Sequence, residues 1–81
     1  MVQKSVTQRF GDLLLFSESE FGVNNEGYLI VKFSRDDYAN LIGTTTESAI
    51  RTLSNFRKSG AISILGKQIK ILKPQILKQL S

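Results

Sequence analysis

The side chains able to do chemistry in this chain of 81 residues are few in kind and crowded into one stretch. Residues 34–53, SRDDYANLIGTTTESAIRTL, hold three consecutive threonines, Ser48, and an acid and a base four residues apart, Glu47 and Arg51. Four residues is about one helical turn, so Glu47 and Arg51 would share a face. From such a face an arginine fork can donate to a guanine edge in a DNA major groove, and a carboxylate can accept from a cytosine amino group. The plainer role for the same two residues is an ion pair on a solvated helix, worth roughly a few tenths of a kcal/mol. Both can hold at once.

The residue types that are missing narrow the chemistry further. There is no cysteine, hence no disulfide, zinc thiolate or thiol nucleophile, and the absence fits a reducing, cytoplasmic setting. There is also no histidine, the commonest general base. Carboxylates, lysines, hydroxyls and two tyrosines are what remain, which argues against an enzyme and against a metal site. The opening MVQKSVTQRF has no apolar run long enough for a signal peptide, and no segment approaches membrane-spanning length, so a membrane is not an expected partner.

Charge is unevenly placed. Residues 1–44 carry four basic groups against six acidic ones, a balance of −2, whereas residues 45–81 carry seven basic groups against Glu47 alone, a balance of +6. A basic half of this kind suits a polyanion such as nucleic acid, although a small basic domain also scatters lysines over solvated surface. At 41% apolar content, the chain has material for one domain, residues 1–81, with one small core.

The elements that must position these groups can be read from periodicity. Val6, Phe10, Leu13, Leu14 and Phe21 recur at helical spacing behind Ser5, a candidate N-cap, and predict a helix over about 5–20. Gly11 inside it costs about 1 kcal/mol relative to alanine and implies close packing there. FGVNNEG reads as a loop, and YLIVKF, residues 28–33, as a short strand. Ser34 and Asp37 form a capping-box pattern ahead of a second helix with Tyr38, Leu41 and Ile42 on its apolar face. Gly43 ends that helix; Thr45 caps a third, running to about Ser59 with Ala49, Leu53 and Phe56 inward, and Gly60 ends it in turn. AISILGKQIKIL then alternates as a β-hairpin over 61–72, with Ile62 and Ile64 answered by Ile69 and Ile71, and Pro74 opens a last helix, PQILKQLS.

Two short helices joined over a glycine, with small Ala39 four residues before it, match helix-turn-helix spacing. The face of the third helix opposite Ala49, Leu53 and Phe56 then carries Thr46, Glu47, Ile50, Arg51 and Ser54. That stripe suits base edges.

SRDDYANLIGTTTESAIRTLSNFRKSGAI followed by LGKQIKIL closely resembles the DNA-binding domain of the Crp/Fnr family of bacterial transcription regulators, and SVTQRFGDLLLF fits the same family. The resemblance runs from about Ser5 to Leu72, and its most specific piece is Glu47-Ser48-Ala49-Ile50-Arg51. It implies an α+β fold, a winged helix-turn-helix with a helical core and a small antiparallel hairpin wing. By position it assigns base reading to Glu47 and Arg51, to which the shared helix face adds Thr46 and Ile50, with the recognition helix at about 45–59 in the major groove. Ser34, Arg35, Thr45, Ser48 and the wing residue Lys67 would bind phosphates.

The partner implied is a palindromic double-stranded DNA operator, met by a homodimer of the full-length regulator, with RNA polymerase as a further partner and no cofactor in this domain. Family members place a β-roll sensor and a dimerisation helix ahead of this domain, which 81 residues would not hold, so the expectation is an excised, monomeric C-terminal domain. Thr46 stands where the cyclic-AMP receptor protein has an arginine, and Ile50 where many members have serine or glycine, so a different half-site is expected. The competing expectation is a winged helix that only binds protein, without DNA readout.

Overall fold

A computed structural model describes residues 4–79, and within them the order is α1 (Val6–Phe21), α2 (Arg35–Ile42), α3 (Thr46–Lys58), β1 (Ile62–Leu65), β2 (Gln68–Ile71) and α4 (Pro74–Gln79). The last two residues of the PQILKQLS helix predicted from the sequence lie outside the described residues. The architecture is the winged helix-turn-helix expected, four helices and a two-stranded antiparallel hairpin.

Local sequence sets the helix ends. Ser5 and Gln8 close a reciprocal capping box at α1, with Gln8 N–H donating to Ser5 Oγ at 3.1 Å and Ser5 N–H to Gln8 Oε1 at 2.8 Å. Ser34 and Asp37 do the same for α2, where the aspartate also complements the positive helix end. At the other end of α2, Gly43 takes φ +75°, a left-handed geometry that side chains resist, and its own N–H and that of Thr44 both donate to the Ala39 carbonyl. Thr45 caps α3 one residue later, through Ser48 N–H at 3.1 Å.

The core gathers one stripe from each element. Phe10 and Leu14 of α1, Tyr38, Ala39 and Ile42 of α2, and Ala49, Leu53 and Phe56 of α3 are buried, together with Ala61, Ile62, Ile69 and Leu77. Phe10 is the hinge of an aromatic group, 5.0 Å from Tyr38 and 6.0 Å edge-on to Phe56, while Phe33 meets Tyr38 edge-on at 5.4 Å. Burial pushes the Tyr38 phenol pKa up, an effect that the nearby Arg35 charge opposes. Gly11 has the close neighbour its sequence position implied, since a Cβ there would lie 3.2 Å from the Leu77 carbonyl oxygen of α4. In the hairpin, Ile62 pairs with Ile71 and Ile64 with Ile69 around Gly66 and Lys67.

Three sequence expectations are corrected. Residues 28–33 form no strand; Leu29 makes a single bridge to Val23, flanked by Asn24 N–H donating to the Tyr28 carbonyl at 2.8 Å and Ile30 N–H to the Gly22 carbonyl at 3.2 Å, and it donates its own N–H to the Ile69 carbonyl at 2.8 Å. β-propensity needs a partner edge, and the segment's backbone bonds β2 only at Leu29 before turning into α2. Phe21, placed on the apolar face of the first helix, is 54% exposed at the helix end beside Phe16. Leu41, placed on the apolar face of the second, is 57% exposed and borders a shallow apolar groove with Leu13 and Phe16. An eight-residue helix offers one inward stripe, which Tyr38, Ala39 and Ile42 fill.

Candidate nucleic-acid interface

α3 shows two opposite characters along its length. Ala49, Leu53 and Phe56 are buried to within 2% of complete, and Thr52 joins them by donating its hydroxyl to the Ser48 carbonyl at 2.9 Å. On the outer side Arg51 Nη2 donates to Glu47 Oε1 at 3.2 Å, with side chains 67% and 85% exposed. At that exposure the pair adds little to stability. It does hold the arginine fork along the helix while leaving most of its five donors unspent. Ile50, beside them, is 50% exposed, as its helical position required.

Thr46 is less open than the sequence suggested. Its hydroxyl donates to Asp36 Oδ1 at 2.5 Å, from the first turn of α3 to the first turn of α2. With its O–H committed, Thr46 can offer a base edge its methyl group and a hydroxyl lone pair as acceptor. Asp36 itself was not singled out by sequence, because its partner lies across a turn whose geometry periodicity does not give.

The expected phosphate ligands fall into two groups. Ser34 and Thr45 use a hydroxyl lone pair to cap α2 and α3, which leaves each O–H free to donate outward. Ser48 is half-buried on the first turn of α3. Arg35 and Lys67 are brought together from 32 positions apart in sequence: Arg35 Nη2 donates to the Gly66 carbonyl at 3.4 Å, and exposed Lys67 is the next residue of the wing tip.

The structure adds a cleft between α3 and the wing, about 280 Å³ in volume and lined by Arg35, Ile50, Leu53, Ser54, Arg57 and Ile64. Arg57 was passed over in the sequence, since its helical position lies between the buried and the outward stripes. Only the fold of the hairpin makes it part of a concave surface. One cation is accounted for structurally: Arg9 donates through Nε to the Ile42 carbonyl at 2.9 Å and through Nη1 to the Lys4 carbonyl at 2.7 Å, satisfying the end of α2.

The decisive comparison is with protein families: a model of the Crp-like helix-turn-helix domain matches residues 8–80. This chain belongs to that family. Crp-like helix-turn-helix domains serve transcription regulation through DNA binding and are not enzymes. None of the curated proteins matches the chain significantly. Among solved structures, it is similar to FixK2 from Bradyrhizobium japonicum at 26% identity and a TM-score of 0.85, over 98% of this chain and 39% of that one.

The CO-dependent transcription factor CooA from Carboxydothermus hydrogenoformans matches at 20% identity and a TM-score of 0.84, over 95% of this chain and 37% of that one. TTHB099, a transcriptional regulator of the CRP family from Thermus thermophilus, matches at 21% identity and 0.80, over 96% and 40%. At those identities the last two speak for the fold. The Crp-like domain thus spans about two-fifths of each of these relatives. No described helix is long and apolar enough to cross a membrane.

Proposed function

We propose that this Crp-like domain reads a DNA operator by laying α3 in the major groove and the β1–β2 wing on the phosphate backbone. The observation that carries this reading is the Glu47–Arg51 pair, held on the open side of a helix whose other side is wholly committed to the core. Arg51 donates to guanine, Glu47 orients it or accepts from a cytosine amino group, and Thr46 and Ile50 present methyl groups to neighbouring bases. Ser34, Arg35, Thr45, Ser48 and Lys67 anchor phosphates, which fixes register and supplies most of the salt-dependent affinity. The first turns of α2 and α3, where four of these five residues lie, add the favourable end of the helix dipole.

In a full-length regulator of the length of its relatives, the domain acts as one half of a homodimer on a palindromic site in the cytoplasm, where RNA polymerase is the further partner. The 81 residues alone bind as a monomer, weakly, and without a cofactor of their own. Selection of bound sequences from a random DNA pool tests the reading. A shared half-site containing a G·C pair lost on Arg51→Ala is expected. Failure to enrich any sequence, with binding insensitive to salt, would leave a protein-binding winged helix instead.

A further inference from the structure

Arg35 and Arg57 reach the α3–wing cleft from different elements, α2 and the last turn of α3. We propose that this cleft seats a DNA phosphate between the two guanidinium groups, so that Arg57 is a further backbone-binding residue. The inference rests on the DNA-reading role above and deepens it by stating where one backbone strand runs.

Along α3, Ile50, Ser54 and Arg57 follow one another at i, i+4 and i+7, the spacing of a single ridge. That ridge shares the cleft with Ile64 of β1, whereas Glu47 and Arg51 do not line it. α3 therefore presents two strips, one with the paired acid and base and one that runs from Ile50, next to the base-reading residues, to Ser54 and Arg57 on the wing side. A helix in the major groove meets base edges along its middle and a backbone strand along each flank. The wing-side flank is the one already furnished with Arg35 at the Gly66 carbonyl and with Lys67 beside it.

Charge and chemistry point the same way. Among the described residues the carboxylate ion pairs are Lys4–Asp12 and Arg51–Glu47, and neither Arg35 nor Arg57 has an acidic partner. Two guanidinium groups left without carboxylates in one concavity raise its positive potential. Planar guanidinium forks match the oxygens of a phosphate, and the Ser54 hydroxyl is a third donor on the same ridge. Ile50, Leu53 and Ile64 share the lining of the cleft with these polar groups.

The test is the salt dependence of DNA binding by the 81-residue chain, measured for the parent, Arg57→Gln and Lys58→Gln, on the selected site and on a random duplex. Arg57 is exposed, so the glutamine variant should melt as the parent does. If the cleft seats a phosphate, Arg57→Gln lowers the slope of log affinity against log salt by about 0.9, with equal proportional loss on both duplexes. Lys58→Gln, which removes the same charge one residue away, changes the slope by less than half as much. A steep parent slope that Arg57→Gln leaves intact, or equal changes in the two variants, overturns the cleft alone. A parent without salt-dependent binding overturns the DNA reading itself, and the cleft with it.

Discussion

Thr46 donates its hydroxyl proton to Asp36 over 2.5 Å, fastening the first turn of α3 to the first turn of α2. The bond crosses the turn around Gly43 and constrains the angle at which α3 is presented. A hydrogen bond to a charged group contributes about 1.5–3 kcal/mol at best, and exposure reduces it. In urea unfolding, Asp36→Ala and Thr46→Val should each destabilise the domain, and the double variant should be less destabilised than the two singles added. The expected coupling is about 0.5–1.5 kcal/mol. Strict additivity would mean that the bond does not form in solution.

Reading and anchoring should separate by substitution. Arg51→Ala should cost about 1–3 kcal/mol on the preferred site and relax preference at one base pair, because a donor to a base edge is lost. Lys67→Ala, on the exposed wing tip, should weaken all sequences nearly equally. Titrations on the selected and a scrambled duplex check both, and equal losses on the two duplexes for Arg51→Ala would count against base reading.

Phe56 is fully buried and edge-on to Phe10. Phe56→Ala should therefore cost about 3–5 kcal/mol, a large share of the stability of so small a domain. Thermal melting followed by circular dichroism would show it as a fall in Tm or as loss of the folded state. An unchanged Tm would put the helix in another rotation.

Ile50 is half-exposed beside Arg51, and Thr46, one turn earlier, has its O–H committed to Asp36 and its methyl free. The thymine methyl is the apolar feature of the major-groove edge, and a serine in place of Ile50 would meet it poorly. The parent should prefer thymine to uracil at one position of the half-site, and Ile50→Ser should lose that preference without loss of stability. Equal affinity for thymine and uracil at every position would leave Ile50 as surface.

Much of this molecule was legible because each signal involved lies within one helical turn or one hairpin. Ser5 with Gln8, Ser34 with Asp37, and Thr45 with Ser48 close caps over three residues, so the sequence marks the starts of α1, α2 and α3. The buried stripe of Ala49, Leu53 and Phe56 and the outward Glu47–Arg51 pair follow from the helical period alone. Likewise the alternation of isoleucines set the hairpin register.

What crosses between elements was decided only by tertiary structure. Residues 28–33 have the composition of a strand but bond the backbone of β2 at Leu29 alone, and hydrogen bonding there depends on where β2 ends up. Leu41 and Phe21 are apolar residues left outside because their helices had already filled the stripe that faces the core. Arg9 and Asp36, two charges in the acidic half, became structural ties to the end of α2 and to Thr46. Arg57 joined Arg35 only when the wing folded against α3, since a period describes one helix and a cleft needs the relative placement of three elements.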